Sequence, residues 1–381
     1  MGWARIKLGE LCSKITDGSH NPPKGVDYSE HIMLSSKNVF DDKIHLDKPR
    51  FLTESDFVKE NKRTDVSVDD VLLTIVGTVG RVAVVDESLP KFTLQRSVAV
   101  LKPLPDKIVA RFLMYSLRSI LEELLGESRG VAQKGIYLKS LREMHISVPS
   151  IPDQKRIVAI LDQAFADIDN ARALTEQNLK NARELFESYL QQVFSQRGGG
   201  WVEKKLCDVC ILQRGFDLPK RLRASGEYPL VSSSGVIDTN IEAKVPGPGV
   251  VTGRSGSIGN VFYIEEDFWP LNTTLYIKEF FGNDKKCVSW LLRYFDLSRF
   301  TSGAGVPTLN RNFVHDEVVA IPTEVENQRN IVVGIEALEA EILTVKTIYE
   351  DKLNKLDELK KSLLQKAFSG EITKDDKEAA A

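Results

Sequence analysis

The feature that most constrains this chain is an internal duplication with a period of about 174 residues. Each copy opens with Gly-Trp followed by Lys-Leu and carries a glycine-containing motif near its middle, Thr74 to Val82 in one and Gly253 to Val261 in the other. Each copy also closes on Gln-x-x-Phe-Ser, at Gln191 and at Gln365. This period is too long for a solenoid and indicates two copies of a domain-plus-helix unit.

Each copy divides into a β-rich globular part and a long helix. β-branched and aromatic runs, typical of strands, flank the glycine motifs, and the later stretches are almost free of Gly and Pro. Ser150-x-x-Asp153 and Thr323-x-x-Glu326 predict capping boxes at the two helix starts. We therefore predict an α+β fold with two tandem β-rich domains, 1–150 and 199–324, two long spacer helices, 151–198 and 325–370, and a disordered tail, 371–381.

The long helices carry an apolar heptad pattern that predicts a coiled coil. Asn178 and Lys352 interrupt the pattern at equivalent places. Because each helix leaves its own domain, the two helices must run antiparallel to pair, and about 44 residues would span about 65 Å. The alternative is two separate amphipathic helices, each packed on its own domain. The expected seam residues are Ile157, Leu161, Ala164, Ile168, Ala171, Ala182, Leu185 and Tyr189 in the first helix, and Ile331, Ile335, Leu338, Ile342, Val345, Tyr349, Leu356, Leu359 and Leu363 in the second.

Composition excludes several classes of protein. The net charge of −3 argues against a wholly basic nucleic-acid binder, although residues 1–150, with 22 basic and 20 acidic side chains, are net basic. No apolar run is long enough to span a membrane, and the start lacks a signal-peptide pattern, which predicts a cytoplasmic protein. Four cysteines suit free thiols, and the single Cys207-x-x-Cys210 lacks the second ligand pair of a zinc site, so we expect no metal.

On its motifs the chain resembles the specificity subunits of type I restriction-modification systems, over roughly residues 1–370. The residues that carry the resemblance are the Gly-Trp…Lys-Leu openings, the Pro…Gln-x-x-Ile entries into both helices, Val231 to Gly235, Arg254 to Gly259, Asn272-Thr273-Thr274 and Thr308-Leu309-Asn310. The first copy departs from the pattern, because Ile75-Val76-Gly77 stands where the second has Arg254-Ser255-Gly256.

The resemblance implies that the two β-rich parts are target-recognition domains, each reading one half of a split sequence in double-stranded DNA. It also implies that the helices act as a ruler and dock two methyltransferase subunits, and through them the restriction subunits. Because the loops of the two copies differ, we expect an asymmetric target with two unlike half-sites.

Base-edge readout requires polar side chains projected from loops, with phosphate contacts setting the register. Arg81 and Arg254 are the strongest individual candidates, because neighbouring glycines allow the backbone to approach DNA closely. The predicted DNA-binding residues are Thr16, Ser19, His20, Ser36, Lys37, Asn38, Thr78, Arg81, Gln95, Arg96, Gln133 and Lys134 in the first copy, and Arg214, Ser232, Ser233, Ser234, Arg254, Ser255, Asn272, Thr273, Thr274, Asn310 and Arg311 in the second.

The sequence offers no catalytic motif and no cofactor site. Asn21-Pro22-Pro23 lacks the aromatic residue that would stack on a flipped base, because Lys24 follows it. The glycines at 253, 256 and 259 have the wrong spacing for a dinucleotide fingerprint. We therefore predict a non-catalytic protein. Two alternatives remain open: a coiled-coil scaffold whose globular domains bind protein, and a nuclease or methyltransferase with diverged motifs.

Overall fold

The computed structural model describes residues 3–40, 42–127, 135–302 and 307–372, without the side chains of 121–127. The chain divides into two compact units, residues 1–173 with 353–381 (unit 1) and residues 174–352 (unit 2). Both contain β-sheets and part of each long helix, which confirms the predicted fold class.

Unit 1 is built on a four-stranded sheet, in the order β2-β10-β7-β8, beside a three-stranded sheet, β6-β3-β9. Strands β1 and β11 form a separate antiparallel pair. The elements that precede the first long helix are β1 (Ala4–Lys7), α1 (Leu8–Leu11), β2 (Cys12–Asp17), β3 (Ile32–Leu34), β4 (Val39–Phe40), β5 (Lys43–Ile44), β6 (Arg50–Phe51), α2 (Glu54–Thr64), β7 (Val71–Thr74), β8 (Val82–Val84), β9 (Phe92–Leu94), β10 (Val98–Pro103), α3 (Ala110–Glu127), α4 (Leu138–Glu143) and β11 (His145–Val148).

The central strand β7 is buried on both faces. Successive side chains of a strand point to opposite faces of the sheet. Accordingly Val71 and Leu73 pack in a cluster with residues of α3, whereas Leu72 packs with residues of the three-stranded sheet. This double coverage explains the continuous apolar run Val71-Leu72-Leu73.

The first long helix, α5, is Ile151–Phe194. Unit 2 then repeats the sheet pattern, with a four-stranded sheet β13-β19-β16-β17, a three-stranded sheet β15-β14-β18 and a β12–β22 pair. Its elements are β12 (Trp201–Lys205), β13 (Ile211–Arg214), β14 (Tyr228–Ser232), β15 (Gly235–Asn240), β16 (Gly249–Gly253), β17 (Val261–Ile264), β18 (Trp269–Pro270), β19 (Thr274–Glu279), α6 (Lys285–Tyr294), β20 (Thr301–Ser302), β21 (Thr308–Leu309), α7 (Arg311–Asp316), β22 (Val318–Pro322) and the second long helix α8 (Val325–Ser369).

Within unit 1, the start of α5 and the end of α8 pack antiparallel. Lys360 Nζ donates to Asp169 Oδ1 at 2.5 Å, and Arg172 Nη1 donates to Asp357 Oδ1 at 2.6 Å, so later residues of α8 face earlier residues of α5. Within unit 2, the Tyr189 hydroxyl lies 2.9 Å from where a Cβ on Gly334 would stand. Both units therefore contain a pair of helix segments.

The predicted seam is wrong at Leu185 and Leu359, which are exposed. Beyond the interruptions at Asn178 and Lys352, the buried residues include Leu190 and Val193 in α5 and their counterparts Leu364 and Ala367 in α8. The reason is that an α-helix drifts relative to a strict heptad repeat. The seam residues that are fully buried include Ile157, Leu161 and Ile335.

The first predicted capping box forms only in part, because no bond joins the Ser150 backbone N–H to the Asp153 carboxylate in the described chain, and the second does not form. Ser150 Oγ donates to Asp153 Oδ2 at 2.7 Å and accepts from the Asp153 N–H at 3.4 Å. The side chain of Thr323 makes no such bond in the described part of the chain; its backbone N–H instead donates to the Gly200 carbonyl at 2.9 Å. That bond ties the end of β22 to the start of β12, and α8 begins two residues later.

Three of the four thiols are buried. Burial raises the pKa of Cys12, Cys210 and Cys287 to about 12, whereas Cys207 is partly exposed. Among the described residues, no group of three His, Cys, Asp or Glu is arranged to hold a metal ion. No helix in the same residues is long and apolar enough to cross a membrane. The predicted tail lies outside the described residues from 373 onward.

Candidate nucleic-acid interface

The two glycine motifs form the same turn in both units. Each joins a central strand to an edge strand, β7 to β8 and β16 to β17. Gly77 and Gly80 have φ of 84° and 94°, and Gly256 and Gly259 have φ of 81° and 85°, a backbone conformation that favours glycine. The turn motifs therefore require these glycines for backbone reasons.

A second loop packs on each turn at the same place. A Cβ on Gly77 would lie 3.3 Å from Ser36 Oγ, and a Cβ on Gly256 would lie 3.2 Å from Ser233 Oγ. Ser36 lies in the segment after β3, and Ser233 lies in the turn after β14. β3 and β14 are the equivalent central strands of the two three-stranded sheets. The two units thus share a platform of two loops.

The side chains on this platform differ between the units. Arg254 is half-buried, and its guanidinium has no hydrogen bond or ion pair with any described residue. Its counterpart Ile75 is buried in the core of unit 1. Unit 1 instead carries Arg81, exposed and 6.0 Å above the Phe40 ring, where unit 2 has Asn260. Each turn therefore carries one arginine without an ion-pair partner among the described residues. Arg254 follows the first strand of its turn, whereas Arg81 precedes the second strand of its turn.

Other predicted residues of unit 1 lie around the same loops. Lys37, Thr78 and Arg96 are exposed, and the Lys37 and Arg96 side chains have no partner among the described residues. Gln95 is half-buried beside Arg96. These residues remain available for contact with a ligand. Gln133 and Lys134 lie outside the described residues.

A polar cluster follows β2 in unit 1. His20 Nε2 lies 2.8 Å from Asp17 Oδ2, and Arg63 Nη2 donates to Asp17 Oδ1 at 2.5 Å. Sequence reasoning found His20 and missed Asp17 and Arg63, because Arg63 comes from α2, 46 residues further along the chain.

A related cluster follows β13 in unit 2. Arg214 Nη2 donates to both carboxylate oxygens of Asp217, at 2.9 and 3.0 Å, and Asn272 Nδ2 also donates to Asp217 Oδ1. Arg214 and Asn272 were predicted, whereas Asp217 was missed. The sequence signal that could have identified Asp217 is its charge, opposite to that of Arg214 three residues earlier.

Two of the predicted residues have their side-chain groups bonded within their own segments of the chain. Asn38 is buried; its Oδ1 accepts from the Ser35 N–H at 3.0 Å, and its Nδ2 donates to the His45 and Asp47 carbonyls, both at 3.0 Å. All of its hydrogen-bonding groups are therefore used within its own loop. Thr274 is also buried and donates to the Leu271 carbonyl at 2.7 Å.

Further predicted residues are buried, half-buried or bonded to other parts of their unit. Ser19 is buried and Thr16 half-buried in β2, and the Thr273 hydroxyl is buried without a partner in the described chain. Asn310 caps α7, and Arg311 donates to the Leu212 carbonyl at 3.4 Å. Ser255 forms an isolated antiparallel β-bridge with Thr308. The Oγ atoms of Ser232 and Ser234 are hydrogen-bonded at 2.9 Å, and Ser234 is exposed.

Comparison with known proteins gives a consistent family. The family model described as "Type I restriction modification DNA specificity domain" matches residues 2–179 and 198–352. The type I restriction enzyme EcoBI specificity subunit of Escherichia coli is 34% identical over 135 residues, which are 35% of this chain and 28% of that protein. The putative type I restriction enzyme MjaX specificity subunit of Methanocaldococcus jannaschii is 24% identical over 157 residues, 38% and 36% of the two chains. These matches span about a third of each relative's length.

Two solved structures are similar over the whole chain. One, from work on complex assembly and conformational transition of the type I R-M system, has a TM-score of 0.78 at 16% identity and covers 96% of this chain and 97% of that one. The HsdS subunit from Thermoanaerobacter tengcongensis has a TM-score of 0.60 at 16% identity and covers 97% of both. At this identity the likeness concerns the fold alone.

Proposed function

Because the chain belongs to the type I restriction-modification DNA specificity family, we propose that it reads a two-part, asymmetric DNA sequence for methyltransferase subunits. Each unit would read one half-site through the loops around its glycine turn. The restriction subunits would join through the methyltransferase, and the chain itself would be the non-catalytic member of the complex.

One observation carries this proposal: the same two-loop platform occurs in both units with different side chains on it. Neither Arg81 in unit 1 nor Arg254 in unit 2 has an ion-pair partner within the described chain. Arg81 directly follows the positive-φ Gly80, and Arg254 lies two residues before the positive-φ Gly256. Unpaired arginines on loops suit phosphate or guanine contacts. Because the equivalent positions hold Asn260 and Ile75, the two half-sites should differ.

The test is modification-sensitive long-read sequencing of DNA from cells that express the chain with its methyltransferase subunits. Cells with those subunits alone and cells with the chain alone are the comparisons. We expect a methylated motif of two unlike blocks around a fixed gap, present only with the chain. Methylation that is the same without the chain, despite a stable complex, would favour the scaffold alternative. Methylation by the chain alone would favour a diverged methyltransferase.

For the methyltransferase surface we propose the exposed apolar residues of the long helices. Leu174 and Leu185 on α5 are exposed, as are Ile348 and Leu359 at the equivalent positions of α8. The members of each pair are eleven residues apart, close to three helical turns, and so lie on one face of their helix. Two equivalent faces suit two copies of one partner.

Native mass spectrometry of the assembled complex tests this surface. We expect Leu174→Glu or Ile348→Glu to lose one methyltransferase subunit and the double variant to lose both, without loss of the chain's own stability, because both side chains are exposed. Arg183→Glu places the same charge on the opposite side of α5 and should leave two subunits bound. Retention of both subunits by the double variant would show that the partner docks elsewhere.

A further inference from the structure

The loop that follows β2 in unit 1 and the loop that follows β13 in unit 2 begin with the same close approach to a neighbouring strand. Gly18 and Gly215 each pass so close to a neighbouring strand that an added Cβ would lie 2.1 Å from the Leu94 carbonyl oxygen or 2.2 Å from the Leu271 carbonyl oxygen. The next residue donates its N–H to the Leu94 carbonyl at 2.7 Å in unit 1 and to the Pro270 carbonyl at 2.8 Å in unit 2.

This shared backbone makes the flanking side chains directly comparable. Asp17 corresponds to Arg214, and His20 corresponds to Asp217. The order of the pair is therefore inverted between the two units, with the carboxylate before the glycine in unit 1 and after it in unit 2.

The inversion changes which groups reach the surface. In unit 1 the Asp17 side chain is 9% exposed and is held between Arg63 and His20, which are both about half exposed. In unit 2 the Asp217 side chain is 60% exposed beside Arg214. Unit 1 thus keeps its carboxylate inside and holds Arg63 through Nε and Nη2, which leaves Arg63 Nη1 without a partner in the described residues. Unit 2 instead presents a carboxylate and a guanidinium together.

In unit 2, Asp217 can still accept a hydrogen bond and Arg214 can still donate hydrogen bonds. A carboxylate accepts at about four positions, and Asp217 uses three of them on Arg214 and Asn272. Arg214 donates only through Nη2, so its other N–H groups have no partner in the described residues. Arginine pairs with the O6 and N7 acceptors of guanine, and aspartate accepts from the N4 amino group of cytosine.

We propose that this loop reads base edges in both units and that the different position and exposure of its carboxylate make the half-sites unlike. Unit 2 reads a guanine through Arg214 and a neighbouring cytosine amino group through Asp217, with Asn272 positioning the carboxylate. Unit 1 reads an acceptor edge through Arg63, which Asp17 positions, and turns no carboxylate of this loop outward. The inference rests on the proposed function and deepens it, since Asp17, Arg63 and Asp217 were not among the residues expected from sequence.

The same methylation sequencing tests the inference, with the full chain and its methyltransferase subunits. We expect Arg214→Gln and Asp217→Asn to relax base preference at one or two positions of one half-site, by roughly 5- to 150-fold in discrimination, and to leave the other half unchanged. Arg63→Gln should relax the opposite half. Lys220→Gln removes an exposed cation of the same unit, six residues beyond Arg214, and should leave all base preferences as they are.

The outcomes separate this inference from the function on which it rests. If the variants lower methylation evenly at every site, or leave both halves of the motif unchanged, the loop contacts phosphate or nothing, and the inference fails while the function stands. If the unaltered chain directs no sequence-specific methylation, both fail. Circular dichroism of Asp217→Asn, which preserves the side-chain shape, checks that the fold is intact.

Discussion

At the scale of single residues, two buried glutamines explain the Gln-x-x-Ile motif at each helix entry. Gln154 Oε1 accepts from the Val109 N–H at 2.8 Å, and its Nε2 donates to the Lys107 and Pro149 carbonyls. Gln328 Oε1 likewise accepts from the Asp284 N–H at 2.7 Å. Each side chain joins the first turn of a long helix to its unit, and this requires both a donor and an acceptor.

We expect Gln328→Leu to destabilise unit 2 by about 3 kcal/mol or more, because a buried polar group left without a partner costs about 1–3 kcal/mol. The groups affected are the Asp284 N–H, the Asn283 side chain and the Pro322 carbonyl. Urea unfolding followed by circular dichroism gives the change. Asn327→Leu alters the exposed neighbouring residue and should have little effect; equal losses for both variants would contradict the role of Gln328.

His315 gives unit 2 a predicted pH dependence. Burial lowers its pKa, with Arg311 adding to the effect, and its Nε2 accepts from the Leu212 N–H at 2.9 Å. The folded state therefore needs the neutral ring. Below the ordinary pKa of about 6.5 the unfolded chain binds the proton more readily, so stability falls as the pH decreases from there through the lowered folded pKa.

Chemical unfolding at a series of pH values measures this dependence. His315→Gln should flatten the loss of stability below pH ~6.5, although the variant itself is less stable. Asn312→Gln changes an exposed residue of α7 that does not titrate and should leave the profile in place. A His315→Gln profile that falls as steeply as that of the unaltered chain would show that other groups carry the pH dependence.

At the scale of elements, the long helices illustrate how far a periodic pattern can be trusted. Their existence and approximate bounds follow from the capping signal at Ser150 and from long stretches almost free of Gly and Pro. The seam beyond Lys352 does not follow, because the heptad frame predicts Leu359 inside, whereas Leu364 and Ala367 are the buried residues. Which face is buried depends on the helix twist accumulated along the helix and on the surface it meets.

The pair Leu364 and Leu359 tests that assignment. Leu364 is 2% exposed and Leu359 is 45% exposed on the same helix. We expect Leu364→Ala to cost about 2–5 kcal/mol, through lost burial and a residual cavity, and Leu359→Ala to change stability by less than about 0.5 kcal/mol. Urea unfolding of the two variants measures both values. A larger loss of stability for Leu359→Ala than for Leu364→Ala would support the predicted heptad seam instead.

At the scale of the whole molecule, the net charge of −3 means that DNA binding must depend on local cations. Lys37, Arg81, Arg96 and Arg254 have no ion-pair partner among the described residues. If all four contact phosphates, their joint substitution by Gln should reduce the slope of log affinity against log salt by about 3.6, or about 0.9 for each contact.

Fluorescence anisotropy with a labelled duplex at several salt concentrations, using the chain assembled with methyltransferase subunits, gives this slope. Lys155→Gln on α5 and Lys204→Gln on β12 provide exposed controls of the same charge. A slope that is the same with and without the four cations would place the phosphate contacts elsewhere on the complex.

The sequence by itself determined the duplication, the α+β class, the two long helices and the positions of the glycine turns. These features depend on local or repeated patterns in the sequence. Glycines repeated at the same places in both copies, for example, indicate a turn with positive φ. Only the tertiary structure decided which polar residues remain free. The side chains of Asn38 and Thr274 are hydrogen-bonded to nearby backbone carbonyls, and Arg63 bonds Asp17 from a helix far along the chain. Hydrogen-bond partners are distributed across the fold, so the availability of a side chain is a property of its three-dimensional neighbours.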